Sequence, residues 1–190
     1  MDELVLRPLA LADVRQMENW RHHEDPWFYH YNFDCETEEE RYLWLRSKRV
    51  FLTRDIFGLF LGARLIGFIT IKNYNWLSRT AEMGISLDLN YVNQGYGSAG
   101  IQLYLDYVFQ HTFFKRIVLR TAIFNERGRR AYEKVGFKVV KVKYMPYEEQ
   151  RYRDEILEIC PDVDVIDSEI YTEYYYMAIK KTNVRKKYEF

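Results

Sequence analysis

The chain has 190 residues, with 28 basic and 28 acidic side chains and therefore no formal net charge. Hydrophobic residues make up 48% of it and aromatic residues 17%, which excludes an intrinsically disordered protein. The balanced charge excludes a general electrostatic attraction to nucleic acid or to an acidic membrane surface. This length predicts a single domain with its own core.

The cysteines and the N-terminus predict a cytoplasmic protein. Cys35 and Cys160 are far apart and have no metal-ligand spacing, so they indicate free thiols in a reducing compartment, although a disulfide stays open. The chain starts without the basic and apolar segments of a signal peptide. The longest apolar stretch, 57–71, is interrupted by Arg64 and three glycines, so we predict no membrane span.

The first half of the chain predicts a strand, two helices and an antiparallel meander. Thr37, followed by Glu40, is a capping-box signature that predicts the start of a helix. Short turns between three β-branched or alternating runs predict antiparallel pairing. The predicted elements are a strand at 3–8, helices at 10–20 and 38–47, and strands at 57–63, 65–74 and 80–89.

The second half predicts helices alternating with strands. Gly136 stands where a helix needs a left-handed residue to stop. The predicted elements are a helix at 97–110, a strand at 116–123, a helix at 126–135, and strands at 137–144 and 170–180. This order predicts a mixed α/β (α+β) domain over residues 1–180, with a basic tail at 181–190.

An acidic insertion at about 148–169 separates the last two predicted strands. It holds nine acidic side chains against Arg151 and Arg153. Long connections inside compact domains are often functional or mobile, but a solvated surface excursion explains the composition as well. Both interpretations stay open.

A glycine-rich segment, 94–100, lies after a predicted strand and opens a helix. Gly95 and Gly97 allow the backbone to turn and to approach a ligand closely. Free N–H groups at the start of the helix favour an anion such as a pyrophosphate, although such a turn can also serve packing alone. With Gly100 the segment also satisfies the dinucleotide pattern. The meander before it disfavours a nicotinamide site, as does the next predicted strand, which carries Arg116 and Arg120 but has no acid until Glu126.

Two motifs together resemble the GNAT superfamily of N-acetyltransferases, in particular its ribosomal-protein-alanine and spermidine acetyltransferase branch. The segment 94–99 is similar to the family's loop for the coenzyme A pyrophosphate. Asn125 with 129–137 (RRAYEKVGF) is similar to its C-terminal signature. The Leu-Arg-Pro at 6–8 and the Tyr-Tyr-Tyr-Met at 174–177 fit as well. The resemblance implies a GNAT fold, with a mostly antiparallel central sheet of about six or seven strands flanked by about four helices.

The resemblance also implies acetyl-CoA as the cosubstrate, held in a cleft between two splayed strands. It assigns coenzyme contacts to Ser86, Leu87, Asp88, Gln94, Gly95, Tyr96, Gly97, Ser98 and Asn125. In this family the amine attacks the thioester directly, in a ternary complex. The absence of a Gly-x-Ser-x-Gly elbow from the sequence agrees with that route.

The implied catalytic residues are Tyr132 and Glu82. Tyr132, seven residues after Asn125, stands where the family keeps the acid that protonates the leaving thiolate, although it could also just fill the cleft wall. Some family members carry a glutamate five residues before the asparagine, where this chain has Arg120. Glu82 is therefore the candidate base, with an exposed strand carboxylate as the alternative.

The predicted acceptor is a cationic primary amine: a polyamine, an aminoglycoside-like amine or a protein amino group. We expect the acidic stretches 24–40 and 148–169 to line its site, with Trp27, Tyr29 and Tyr31 binding the cation over their faces. The four histidines have no ligand spacing, so we predict no metal. A GNAT-fold protein that binds acyl-CoA without catalysis, a nicotinamide oxidoreductase and a homodimer stay open as alternatives.

Overall fold

The computed structural model describes residues 3–183. Its strands are β1 Leu4–Pro8, β2 Arg54–Leu61, β3 Arg64–Asn75, β4 Thr80–Leu87, β5 Arg116–Ala122, β6 Lys138–Pro146, β7 Val165–Ile166 and β8 Glu169–Lys180. Its α-helices are α1 Leu11–Val14, α2 Glu38–Lys48, α3 Tyr96–His111, α4 Glu126–Val135 and α5 Arg153–Ile159. Short 3-10 helices cover Arg15–Asn19, Pro26–Tyr31, Leu89–Tyr91, Gln150–Tyr152 and Lys181–Asn183. Most of the basic tail predicted at 181–190 lies outside the described residues.

One open sheet runs through the molecule in the order β1-β2-β3-β4-β5-β8-β6, with β7 paired to β8 beside it. Its neighbours are antiparallel except β4 and β5, which are parallel and joined by α3. These two strands pair only from Thr80 with Arg116 to Glu82 with Val118. The predicted mixed, mostly antiparallel fold is confirmed, and its central pair of strands separates beyond Glu82.

The helix ends follow the local chemistry read from the sequence. The Thr37 hydroxyl accepts a hydrogen bond from the Glu40 N–H at 3.2 Å, and the Glu40 carboxylate accepts one from the Thr37 N–H at 2.8 Å. Helix α4 has its predicted bounds, because Gly136 ends it with a φ of 111°.

The helix predicted over 10–20 is shorter in the structure, where α1 passes into a 3-10 helix. Contacts with β3 explain the tighter winding. The Gln16 side-chain oxygen accepts the Leu65 N–H at 2.9 Å, and the Trp20 ring N–H donates to the Leu65 carbonyl at 3.3 Å. Tertiary hydrogen bonds therefore override the helical periodicity of this segment.

Buried side chains form separate clusters on the two faces of the sheet. Phe57 and Leu59 of β2 pack with α3 and α4, whereas Ile56 and Phe60 pack with the segment from α1 to α2. Neighbouring residues of a strand point to opposite faces, so one helical layer lies on each face of the sheet. The cleft between β4 and β5 runs between these two layers.

The acidic insertion is anchored to the domain. Ile156 of α5 is fully buried in a third cluster with Trp27, Ile170 and Tyr174. The Gln150 side-chain amide donates to the Ile170 carbonyl at 3.0 Å and accepts the Ile170 N–H at 2.9 Å. The interpretation of 148–169 as a solvated excursion is therefore wrong for its first half, which packs against the core.

Candidate active site

Two cavities meet where β4 and β5 separate. The first, about 280 Å³, lies between the end of β4, the start of α3 and helix α4, and we call it the glycine-loop cavity. The second, about 430 Å³, lies between α2, β3, β4 and the start of the acidic insertion, and we call it the ion-pair cavity. Both are lined by Tyr31, Ile85, Ser86 and Tyr132, which we call the junction.

The glycine-loop cavity presents main-chain N–H groups at the start of α3. Gly95 takes a φ of 90°, which favours glycine, and no side chain caps this helix. The N–H of Ala99 is bonded to the Gly95 carbonyl at 3.0 Å, so the amides of the preceding turn have no acceptor within the helix. Gly95, Gly97 and Ser98 all line the cavity, and this arrangement suits an anion.

The third glycine of the segment has a packing role. A Cβ on Gly100 would lie 2.6 Å from Leu59 Cδ1, whereas one on Gly97 would lie 3.3 Å from Leu87 Cδ1, and one on Gly95 would meet nothing within 4 Å. Gly100 thus allows α3 to approach β2, while Gly95 and Gly97 leave space at the cavity.

Helix α4 gives the glycine-loop cavity its charge. The charged side chains that line it are Arg127, Arg130 and Lys134, and no aspartate or glutamate is among its lining residues. Arg130 also pairs with Glu126 at 3.0 Å, and both of these side chains are well exposed. We did not predict this basic face from the sequence, although residues three and four positions apart on a predicted helix lie on one face.

The end of β4 offers backbone to the glycine-loop cavity. Gly84 and Ser86 pair with Thr70 and Phe68 of β3, but beyond Glu82 no pairs with β5 remain on the other edge of β4. Ser86 and Leu87 line the cavity. Their unpaired edge can hydrogen-bond an extended ligand as an additional strand would.

Three residues assigned to the coenzyme have other partners in the structure. The Asp88 carboxylate is buried and accepts the N–H of Asn90 at 3.0 Å, so it caps the short helix after β4. The Gln94 amide donates to the Asn90 carbonyl at 2.7 Å, and the Tyr96 ring packs edge-on against Tyr91. None of the three lines the glycine-loop cavity.

Asn125 both lines the glycine-loop cavity and caps α4. Its side-chain oxygen accepts the Gly128 N–H at 3.0 Å. A Cβ on Gly128 would lie 2.8 Å from the Asn125 amide nitrogen, so the small residue is needed for this cap. The capping bond alone accounts for an asparagine at this position.

The junction holds two phenols. Tyr132 is 7% exposed, and burial followed by the neighbouring Tyr31 raises the pKa of its hydroxyl well above the usual range. Burial and Glu148 raise the pKa of Tyr31 to about 12. Both groups therefore stay protonated at neutral pH and can donate a hydrogen bond. From the sequence we predicted that Tyr31 binds a cation, and we did not predict that it lies beside Tyr132.

Charges in the ion-pair cavity are largely matched. Lys72 lies 3.4 Å from Glu82, Arg120 pairs with Glu148, and Arg151 lies 2.7 Å from Glu149. Lys48 also lines the cavity, so its charged residues are four cations and three carboxylates. The insertion contributes Glu148 and Glu149 to this lining, as expected, but the expected excess of carboxylates is absent from it.

The first acidic stretch, 24–40, contributes no carboxylate to the ion-pair cavity. The physical reason is helix capping, since Glu40 closes the capping box and Asp25 accepts the Trp27 N–H at 3.0 Å. Trp27 is buried against Tyr147, and Tyr29 packs edge-on against Tyr152. Of the three aromatic residues proposed for cation binding, only Tyr31 lines the cavity.

Glu82, the predicted base, lies in the ion-pair cavity with its carboxylate held by two side chains. Besides Lys72, the Asn73 amide donates to it at 2.9 Å. Arg120, at the position where some members of the family that the chain resembles carry a glutamate, pairs with the Glu148 carboxylate. The acidic insertion thus places the Glu148 carboxylate beside Arg120, a strand position that has no carboxylate of its own.

Each cavity also contains one neutral histidine. Burial lowers the pKa of His23 in the glycine-loop cavity to about 4, with Arg127 adding to the effect. Burial likewise lowers the pKa of His30 in the ion-pair cavity to about 4. The Tyr147 hydroxyl donates to the Trp27 carbonyl at 2.6 Å and lies 3.1 Å from His30 Nδ1.

Two further observations concern residues 3–183 as a whole. In this part of the chain no group of three or more His, Cys, Asp or Glu side chains is placed to hold a metal ion. No helix there has the length and apolar character that crossing a membrane would need.

Comparison with known proteins identifies relatives. Residues 3–138 match the family model described as an acetyltransferase (GNAT) domain. Over 141 residues the chain is 25% identical to spermidine N(1)-acetyltransferase of Vibrio cholerae, covering 71% of this chain and 79% of that protein. It is 28% identical over 80 residues to YdaF of Bacillus subtilis, a proposed ribosomal N-acetyltransferase, covering 42% of this chain and 44% of that protein.

Solved structures share the fold. Spermidine N-acetyltransferase from Vibrio cholerae in complex with CoA and spermine has a TM-score of 0.69 at 20% identity, covering 95% of this chain and 96% of that one. A chimera of the Vibrio cholerae enzyme and hSSAT has a TM-score of 0.67 at 21% identity, covering 94% of this chain and 96% of that one. At such identities the likeness concerns the fold.

Proposed function

The chain belongs to the GNAT family of acetyltransferases, which use acetyl-CoA, and we propose that it transfers the acetyl group to a primary amine of a small molecule. The family resemblance read from the two sequence motifs is confirmed by this match. The observation that carries the proposal is the meeting of an anion-binding cavity and a second cavity at Tyr132.

The glycine-loop cavity is the proposed coenzyme site. Its free helix amides and the cations of α4 suit the pyrophosphate and the other phosphate of coenzyme A. The unpaired edge of β4 at Ser86 and Leu87 suits the amide groups of the pantetheine arm. Asn125 also lines this cavity, while Asp88, Gln94 and Tyr96 can contribute only through their main chain or by supporting the loop.

The ion-pair cavity is the proposed acceptor site, so the amine and the thioester meet at the junction. The amine nitrogen attacks the thioester carbonyl carbon, the C–S bond then breaks, and coenzyme A leaves as a thiolate. The nitrogen gives up one proton as the amide forms, which balances the proton that the thiolate takes up. Tyr132 is the proposed acid that gives this sulfur a proton, because its hydroxyl is protonated and lies at the junction of the two cavities. Tyr31 lies beside it as a second donor to the oxygen that gains charge.

An ammonium acceptor must lose a proton before it attacks. Glu82 remains the proposed base, because its carboxylate lines the acceptor cavity, and it would take the proton from an amine at the junction through a chain of water molecules. Glu148 is another carboxylate of that cavity. Polyamines, aminoglycoside-like amines and protein amino groups are the acceptors that the sequence favoured. A polyamine is also the acceptor after which the Vibrio cholerae relative is named. A cytoplasmic location stays a prediction.

The test measures acetyl-CoA binding by calorimetry and thiol release with a panel of primary amines. We expect binding of acetyl-CoA but not of a nicotinamide dinucleotide, and thiol release that depends on the amine. Coenzyme binding without thiol release for any amine would favour the non-catalytic alternative. Absence of acetyl-CoA binding at millimolar concentration would overturn the proposal.

A further inference from the structure

Lys48, the last residue of α2, is a cation without a carboxylate partner in the ion-pair cavity. Among residues 3–183 no acidic group lies within ion-pair distance of it, and its Nζ lies 5.7 Å from the centroid of the Trp44 ring. Burial lowers the pKa of this ammonium, and Lys72 and Arg54 lower it further. A partly desolvated cation beside two others is stabilised when an anion binds.

The other charges of this cavity do not compensate for Lys48. Its three carboxylates, on Glu82, Glu148 and Glu149, are each engaged by one cation. The residues that line the cavity therefore carry one net positive charge. A polycation that entered would find no free carboxylate and would be repelled by Lys48, whereas a ligand with one anionic group would complete the balance.

The end of the cavity at Lys72 and Glu82 is separate from the reacting end, and Lys48 lies near enough to Lys72 for the two charges to repel each other. Lys72 faces Glu82 in the β3–β4 register, and Glu82 precedes Ile85 of the junction by three residues. At the rise of a β-strand this is roughly 10 Å. Trp44, Phe68 and Thr70 also line the cavity, so its wall can contact the apolar part of a ligand.

We propose that the acceptor is a primary amine that carries an anionic group, a carboxylate or a phosphate, which Lys48 binds while the amino group lies at the junction. This inference rests on the proposed acetyl transfer and names its acceptor class. Glu148 acts electrostatically on Tyr31 of the junction and is therefore the carboxylate that we place at the amino end.

The test compares four acceptors of equal chain length: aminooctanoate, aminooctyl phosphate, octylamine and diaminooctane. Their kcat/KM values are measured by thiol release at saturating acetyl-CoA. We expect one of the two anionic amines to exceed diaminooctane by about tenfold, the usual worth of a charged hydrogen bond. The better of the two identifies a carboxylate or a phosphate as the bound group.

Variants of Lys48 connect that preference to this residue. Lys48→Gln should reduce kcat/KM for the anionic amines by about tenfold and leave octylamine unchanged. Lys48→Arg should retain the preference, and Lys48→Glu should reverse it in favour of diaminooctane. Lys141→Gln removes the same charge from an exposed position on β6 outside both cavities and should change nothing. Thermal unfolding of each variant confirms that it is folded.

The outcomes separate this inference from the proposed function. If the enzyme acetylates diaminooctane better than both anionic amines, or if Lys48→Gln lowers all four values equally, the inference is wrong while acetyl transfer stands. If none of these amines nor spermidine releases thiol, the proposed function fails and the acceptor class fails with it.

Discussion

The two cavities differ in how their charges are arranged. The glycine-loop cavity combines main-chain N–H groups with the cations Arg127, Arg130 and Lys134 and has no carboxylate among its lining residues. The ion-pair cavity pairs each of its three carboxylates with a cation and leaves Lys48 unpaired. A surplus of donors fits a ligand whose phosphates are always charged. Paired charges fit a ligand whose amine must be able to lose its proton.

The junction between the cavities is controlled by desolvation more than by charge. Desolvation is the largest cause of the raised pKa of both Tyr132 and Tyr31, and a tyrosine is protonated at neutral pH even without that shift. Two differently charged ligands can therefore meet at a neutral point that donates hydrogen bonds. A substitution in one cavity, or at the junction, should therefore leave ligand binding in the other cavity unchanged.

Removing the Tyr132 hydroxyl should have the largest effect. Tyr132→Phe keeps the buried ring but removes the proposed acid, so we expect kcat to fall by about 100-fold or more. The dissociation constant of acetyl-CoA, measured by calorimetry, should stay within about twofold.

The matched control is Tyr104→Phe. The Tyr104 hydroxyl is also buried, has no hydrogen-bond partner in the part of the chain described, and lies outside both cavities. Its removal should leave kcat unchanged and cost no stability. Equal kcat values for Tyr132→Phe and the unaltered enzyme would refute the acid role.

The next largest effect should come from Arg127→Gln, which should weaken ligand binding in the glycine-loop cavity but not in the ion-pair cavity. Arg127 lines the glycine-loop cavity on α4, so we expect acetyl-CoA to bind about tenfold more weakly and the KM of the amine to stay unchanged. Arg129→Gln is the control on the same helix, since Arg129 lies over the Tyr175 ring and lines neither cavity. A change in the amine KM alone would contradict the division between the cavities.

The fold was largely readable because its signals are local. The capping box at Thr37 and the stop at Gly136 fixed two helix ends, and alternating runs located the strands of the meander. The segment 10–20 was misread because its winding depends on hydrogen bonds to Leu65, more than forty residues away in the chain. Periodicity carries no information about such contacts.

The sequence predicted the part of the site that depends on backbone conformation, but it did not predict which charged side chains pair. Gly95 and Gly97 indicated the turn that we propose binds an anion, because Gly95 takes a φ of 90° and Gly97 leaves space at the cavity. The acidic composition of 24–40 suggested a cationic ligand, yet those carboxylates serve helix starts or face solvent. Composition does not tell that Glu148 pairs with Arg120, since 28 residues separate them.

Glu148→Gln should alter the ion-pair cavity alone. It leaves the Arg120 guanidinium without its carboxylate near Tyr31, so we expect the KM of a protonated amine to rise about three- to tenfold. The KM of acetyl-CoA should not change. Asp154→Asn, an exposed carboxylate of the same insertion that pairs with Arg153, is the control and should leave both values unchanged. A weaker affinity for acetyl-CoA in Glu148→Gln would show that the cavities are coupled.

The smallest expected effect is a dependence of stability on pH that the two cavities share. The folded protein keeps His23 and His30 neutral, with a pKa of about 4 each, whereas an unfolded histidine titrates near 6.5. Between these values the unfolded chain binds more protons, so stability is complete above about pH 6.5 and is lost as the pH falls towards 4.

Thermal unfolding between pH 7.5 and 5 should therefore show a melting temperature that falls on acidification. His23→Gln and His30→Gln should each remove part of the slope, and the double variant should remove the larger share. At pH 7.5 neither substitution alters the proton balance, so that value is the reference for each variant. If only His30→Gln flattened the curve, burial would act on the ion-pair cavity alone, and the glycine-loop cavity would admit enough water to hydrate a charged His23.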